Sequence, residues 1–190
     1  EGDGEEPGNN QYSSNTTLTK TASTTGSILT GISNAMSDGS LTGGTSKIVG
    51  KYKFVFDNGS NRTATNDELK AKLVELTLKF ATSTGVTATD FQAYIEGKSG
   101  DIATSTVEGN VITFDLDSAG GFSADNQLVD GEITLVITAN LDVSDNYQYI
   151  QTEIANLSAD FTYNGGGATN WSNARLEGIT KVTGATLSKN

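Results

Sequence analysis

Carboxylates crowd one stretch of this chain. "FDLDSAGGFSADNQLVDGE", residues 114–132, holds Asp115, Asp117, Asp125, Asp130 and Glu132 among Gly and Ser. Side chains of this type are hard oxygen donors, and the chemistry they could do together is to hold a calcium ion. A helix-flanked calcium loop needs oxygen ligands at alternate positions and a Glu at the twelfth. Counted from Asp115, Asp117 and Gly120 fall in place, whereas Ala119 and Asn126 do not. "DNGSNRTATNDE" breaks the pattern in the same way at Gly59 and Arg62. Carboxylates from separate loops can also converge between strands without any regular spacing. For that arrangement Asp115, Asp117, Asp125 and Asp130 are the candidate metal ligands, with Asp142 and Asp145 as further donors. Turn chemistry competes, because Asp and Gly also reverse a chain with no ion present, and the solvated turn carries more weight.

A second chemistry is stacking on sugar. Trp171, the single tryptophan, stands between Asn170 and Asn173 and close to Gly165, Gly166 and Gly167, and is the candidate glycan-binding residue. A Trp in a β-protein more often fills the core or caps its end. The same expectation, core or cap, applies to the tyrosine pair Tyr147 and Tyr149 in "NYQYI". Catalysis has little to work with. The chain contains no His and no Cys, which removes the thiolate nucleophile, the Ser-His dyad and the His-based zinc site. A glycosidase needs two carboxylates across an aromatic-lined cleft, and aromatics are sparse here. The expectation is a protein that is not an enzyme.

Composition bounds the rest. A length of 190 residues suits one domain with an arm, and no 18-residue apolar run offers a transmembrane helix. The formal net charge of −11 repels phosphate backbones, so nucleic acid is a poor partner. The start at Glu1, without a leader-like segment, is consistent with a mature exported product or an excised piece. Five Asn-x-Ser/Thr triplets begin at Asn15, Asn58, Asn61, Asn156 and Asn170, about as many as chance supplies in a chain so rich in these residues.

The elements that must position these groups read as strands. Tyr52, Phe54 and Phe56 alternate in "KYKFVFD"; Val74, Leu76, Leu78 and Phe80 do so in "LVELTLKF". Phe91, Ala93 and Ile95 form a third set, and Ile112, Phe114 and Leu116 a fourth. The longest runs through Ile133, Leu135, Ile137, Ala139 and Leu141. "TNDELKAKLVEL" opens like a helical turn, yet alternation takes over at Leu73. "YIQTEIANLSADFTY" fits strand or helix, and Ile150, Thr152 and Ile154 at strand spacing favour strand. Such spacing predicts an all-β sandwich of about seven or eight antiparallel strands.

The order "KIVGKYKFVFDNG", "LVELTLKFATSTGVTATDFQAYIEG", "VITFDLD", "LVDGEITLVITANLD", "ADFTYNGGGATN", "LEGITKVTGATLS" resembles the Ig-like β-sandwich modules of bacterial and archaeal surface-layer-type and extracellular filament proteins. The likeness covers residues 41–189, is one of pattern and order, and includes no catalytic motif. It implies an Ig-like fold and an extracellular, cell-surface structural or adhesive role. It departs in one respect: such modules usually stand in tandem, whereas here one copy follows a long polar arm.

That arm, residues 1–40, is an acidic tail followed by Thr- and Ser-rich sequence, ahead of a domain at residues 41–190. An extended segment of this kind can complete the open sheet edge of another copy, with Thr17, Leu18, Thr19, Ile28, Leu29 and Ile32 at the interface. A head-to-tail contact that does not close into a ring makes a filament. Folding back as the first strand of its own domain is the equal alternative. Two functions follow: a subunit that self-assembles into a filament or surface layer by strand complementation, or an adhesin or carbohydrate-binding module using Trp171.

Overall fold

The computed structural model describes residues 28–57, 71–98, 102–116, 127–128, 131–155, 161–165, 170–172 and 181–190. They form thirteen strands and no helix. In chain order these are β1 (Ile28–Asn34), β2 (Gly39–Ser40), β3 (Gly44–Asp57), β4 (Ala71–Thr82) and β5 (Val86–Ile95). There follow β6 (Ala103–Glu108), β7 (Val111–Asp115), β8 (Gln127–Leu128), β9 (Gly131–Val143) and β10 (Gln148–Ile154). The last are β11 (Phe161–Gly165), β12 (Asn170–Ser172) and β13 (Val182–Lys189).

Ten of them make one continuous path, β1-β3-β9-β5-β6-β7-β4-β10-β13-β2, while β8 and β11 pair with β4 on its opposite edges and β12 pairs with β11. Every pairing is antiparallel except β13 with β2. The sheet curls because β6 serves two neighbours: Ala103 and Thr104 pair with β5, and Ser105–Glu108 with β7. The two arms of the path therefore fold towards each other, and the inward side chains of both make one apolar core.

The alternation read from the sequence positions that core. Tyr52 and Phe54 of β3, Phe91, Ala93 and Ile95 of β5, and Ile112 and Phe114 of β7 are buried, as is Leu116 just beyond β7. All five expected positions of β9 are buried. Ile150, Thr152 and Ile154 are buried too, so β10 resolves the strand-or-helix ambiguity as strand. In β4, Leu76 and Leu78 are buried and Phe80 packs against the core, as the alternation predicts. Leu73 is buried as well, because the register with β11 slips between Leu73 and Glu75 and the inward set changes parity there. Phe56 and Val74 have side chains outside the described set, as do the possible helical opening at residues 65–70 and the apolar positions Leu176 and Ile179.

Where the two arms meet, the core contains one polar bridge. The Tyr52 hydroxyl lies 2.9 Å from Thr152 Oγ1, and the Thr152 hydroxyl donates to the Val49 carbonyl at 3.3 Å. Gly184 makes this approach feasible: a Cβ there would sit 2.6 Å from the Thr152 carbonyl oxygen and 2.7 Å from the Tyr52 hydroxyl. Burial of a hydroxyl is tolerable only with a partner, and this trio supplies one to each member.

Candidate functional site

Three strands converge on one asparagine. Asn140 lies in β9 with its side chain directed out of the core, between Ala139 and Leu141, which point in. On one flank, the pairing of β3 with β9 jumps from Gly44↔Leu141 to Lys47↔Ala139, leaving Thr45 and Ser46 as a bulge opposite Asn140. On the other flank, the pairing of β5 with β9 jumps from Thr89↔Asn140 to Gln92↔Thr138, leaving Asp90 and Phe91 as a second bulge. A bulge frees backbone groups from the ladder and re-aims the side chains next to it.

Asn140 ties both bulges together. Its side-chain oxygen accepts the Ser46 N–H at 2.9 Å, and its side-chain nitrogen donates to Asp90 Oδ2 at 2.7 Å. Ser46 and Asp90 each have a φ of 50°, the left-handed region that residues with a Cβ rarely occupy. Two such residues facing each other across one strand store strain of about 1–3 kcal/mol apiece at most, with Asp the more tolerant type.

Beside them the sheet opens. β6 leaves β5 after Thr104, and the Ser105 hydroxyl donates to the Phe91 carbonyl at 2.8 Å to hold the corner. The result is a cleft of about 490 Å³. Thr45, Ser46, Asp90, Gln92, Thr104 and Asn140 supply its polar lining, and Val107, 45% exposed, supplies an apolar patch. A smaller hollow of about 250 Å³ continues along the same face past Thr87, Thr89 and Asp142, sharing Thr45 and Asn140 with the first. The main cleft can donate and accept hydrogen bonds, while the hollow beyond it presents mainly apolar surface.

A second feature stands at one end of the sheet. Tyr147 is 88% exposed with a φ of 58°, and Tyr149 is 41% exposed. This corrects the expectation that the pair fills or caps the core. The reason lies in the parity of β10: Gln148 and Ile150 point inward, so the tyrosines on either side of Gln148 point out. The turn is held from below by Gln148, which is buried and donates to the Thr84 carbonyl at 3.0 Å while its oxygen accepts the Asp145 N–H at 3.1 Å.

The sites expected from sequence are dispersed. Asp115 is exposed at the end of β7, and Asp117, Asp125 and Asp130 lie outside the described residues. Asp142 is exposed on β9 and Asp145 on the β9–β10 turn, where it accepts from the Ser144 hydroxyl. Among the described residues no three acidic side chains converge. Trp171 pairs with Tyr163 through the backbone of β12 and β11, and its side chain lies outside the described set. Of the proposed interface, Thr17, Leu18 and Thr19 fall outside the described residues. Ile28, Leu29 and Ile32 belong to β1, which runs antiparallel to β3 of the same chain, and Ile32 is buried. Within one chain, then, the segment from Ile28 onward folds back on its own domain, because Ile32 reaches the core.

No family model matches the chain, and no curated protein is similar to it at a significant level. No helix among the described residues is long and apolar enough to cross a membrane.

Proposed function

We propose that this chain is an extracellular structural subunit, an Ig-like β-sandwich that assembles with copies of itself into a cell-surface filament or surface layer. The observation that supports this reading most is the state of β1. Among the described residues it hydrogen-bonds to β3 alone and so ends the path of strands. Its sequence, "ILTGISN", carries no charge and no proline, the usual guards of an open edge. Its only irregularity is a register shift around Thr30. An edge of this kind accepts a further strand through backbone hydrogen bonds. Thr17, Leu18 and Thr19 of a second copy, from the β-prone residues 17–21, are the segment proposed to fill it.

The test is truncation. Removal must stop at residue 27, because Ile32 belongs to the core of its own chain. Electron microscopy and sedimentation of the full chain are expected to show polymers, and the chain lacking residues 1–27 is expected to remain monomeric and folded. Polymers of unchanged stability after truncation, or a full chain that never assembles, count against the proposal.

A further inference from the structure

The trough around Asn140 is a second, independent feature, and it owes nothing to β1. We infer that it binds a neutral, hydroxyl-rich oligosaccharide, held by Asp90, Gln92 and Asn140 on the outward face of β3, β9 and β5.

Four observations carry this. First, the lining groups are of the types that bond sugar hydroxyls: a carboxylate, two carboxamides and the hydroxyls of Thr45, Ser46 and Thr104. Carboxamides both donate and accept, and carboxylates accept from adjacent hydroxyls, which is how a fixed site recognises a polyol. Second, among the described residues no lysine or arginine lines the cleft and one aspartate does, so an anionic ligand is disfavoured. Third, the groups are preorganised. The contacts of Asn140 to Ser46 N–H and to Asp90 Oδ2 lock both bulges and leave the second Asp90 oxygen available for a ligand. Both bulged residues are held at a φ of 50°, the kind of backbone conformation that persists where a binding geometry needs it. Fourth, the cleft and its continuation share Thr45 and Asn140, which makes an elongated trough rather than a single round pocket.

Val107 offers an apolar surface for the C–H face of a ring, while Phe91 is buried beneath and cannot stack. Recognition is therefore by hydrogen bonds. A divalent cation fits less well, since Asp90 is the one carboxylate among the described residues of the main cleft, and calcium takes six to eight oxygens, of which carboxylates usually supply several.

The experiment screens the full chain on an array of neutral glycans and then titrates it calorimetrically with cellobiose, chitobiose, mannobiose and maltotriose. Saturable binding to at least one of these, in the millimolar range or tighter, is expected. Asp90→Gly removes the carboxylate and relieves the backbone, so it should weaken binding at least about tenfold while the melting temperature holds or rises. Gln92→Ala, at the rim, should weaken binding by a similar factor without altering the melting temperature. Asp90→Asn keeps an acceptor for Asn140 and should retain most of the affinity for a neutral sugar. No heat from any of these sugars at about 50 mM overturns the inference, because even a millimolar site saturates there. So does sugar binding that ignores both Asp90→Gly and Gln92→Ala but is lost in Trp171→Ala. Calcium binding that Asp90→Asn abolishes, with no sugar bound, would assign the trough to a cation and overturn it equally.

Discussion

Tyr52 shows how a single residue couples the two arms of the sheet. Burial pushes its phenol well above the ordinary value near 10; the hydrogen bond with Thr152 opposes that shift, and the charge of Glu153 adds to it. The folded state therefore keeps the proton at pH values where the unfolded chain loses it. The resulting contribution is present in full below about pH 10 and declines as the pH rises, by up to about 1.4 kcal/mol per pH unit. Tyr52→Phe removes the hydroxyl and should cost about 0.5–1.5 kcal/mol at neutral pH. Its urea midpoint should then fall less steeply than that of the unaltered chain above about pH 10. Equal slopes would show that the phenol is not sealed from solvent. Alternation in "KYKFVFD" showed that Tyr52 faces inward. Its partner, a hundred positions away in β10, was not readable, because a hydroxyl in a strand carries no mark of what it faces.

At the scale of elements, the turns at one end of the sheet depend on a single vacancy. Gly85 has a φ of 87°, and a Cβ on it would collide with the side-chain nitrogen of Gln148. Gly85→Ala therefore adds strain and displaces the buried carboxamide that bonds Thr84 and Asp145. A loss of more than about 1 kcal/mol is expected, read as a lowered denaturation midpoint. A neutral result would mean that Gln148 is not needed to hold the β9–β10 turn. Of the two bulges flanking Asn140, one left a trace in the sequence. Along β5 the apolar positions run through Val86 and Ala88, then Phe91, Ala93 and Ile95, and the change from even to odd marks the extra residue. Along β3 the step from Val49 to Tyr52 marks a different irregularity, the register slip between Ile48 and Gly50, and the bulge at Thr45 and Ser46 left no such mark. Nor did the sequence show that the two bulges flank the same residue of β9. Ser46 and Asp90 are not glycines, so their left-handed backbones gave no warning either.

At the scale of the whole molecule, charge and edges compete. A net charge of −11 makes copies repel, and on the proposed assembly the β1 edge, open among the described residues, brings them together. On the assembly proposed above, raising the ionic strength from about 10 mM to about 150 mM shortens the screening length from about 30 Å to about 8 Å and should promote polymers. Light scattering at fixed protein concentration reads this directly; assembly that weakens with salt would instead point to ionic contacts between subunits. By itself, the sequence determined that the chain is all-β and that the long alternating runs of β3, β5, β7 and β9 turn one face inward, because side chains alternate with a period of two whatever the partner strand. It predicted seven or eight strands, fewer than the thirteen among the described residues. Only the tertiary structure decided which strands are neighbours, that Ile28–Asn34 lies against β3 of its own chain, that Tyr147 and Tyr149 face solvent, and that Ser46, Asp90 and Asn140 meet. Those outcomes depend on register and on contacts between residues far apart in the chain, and local periodicity carries no information about either.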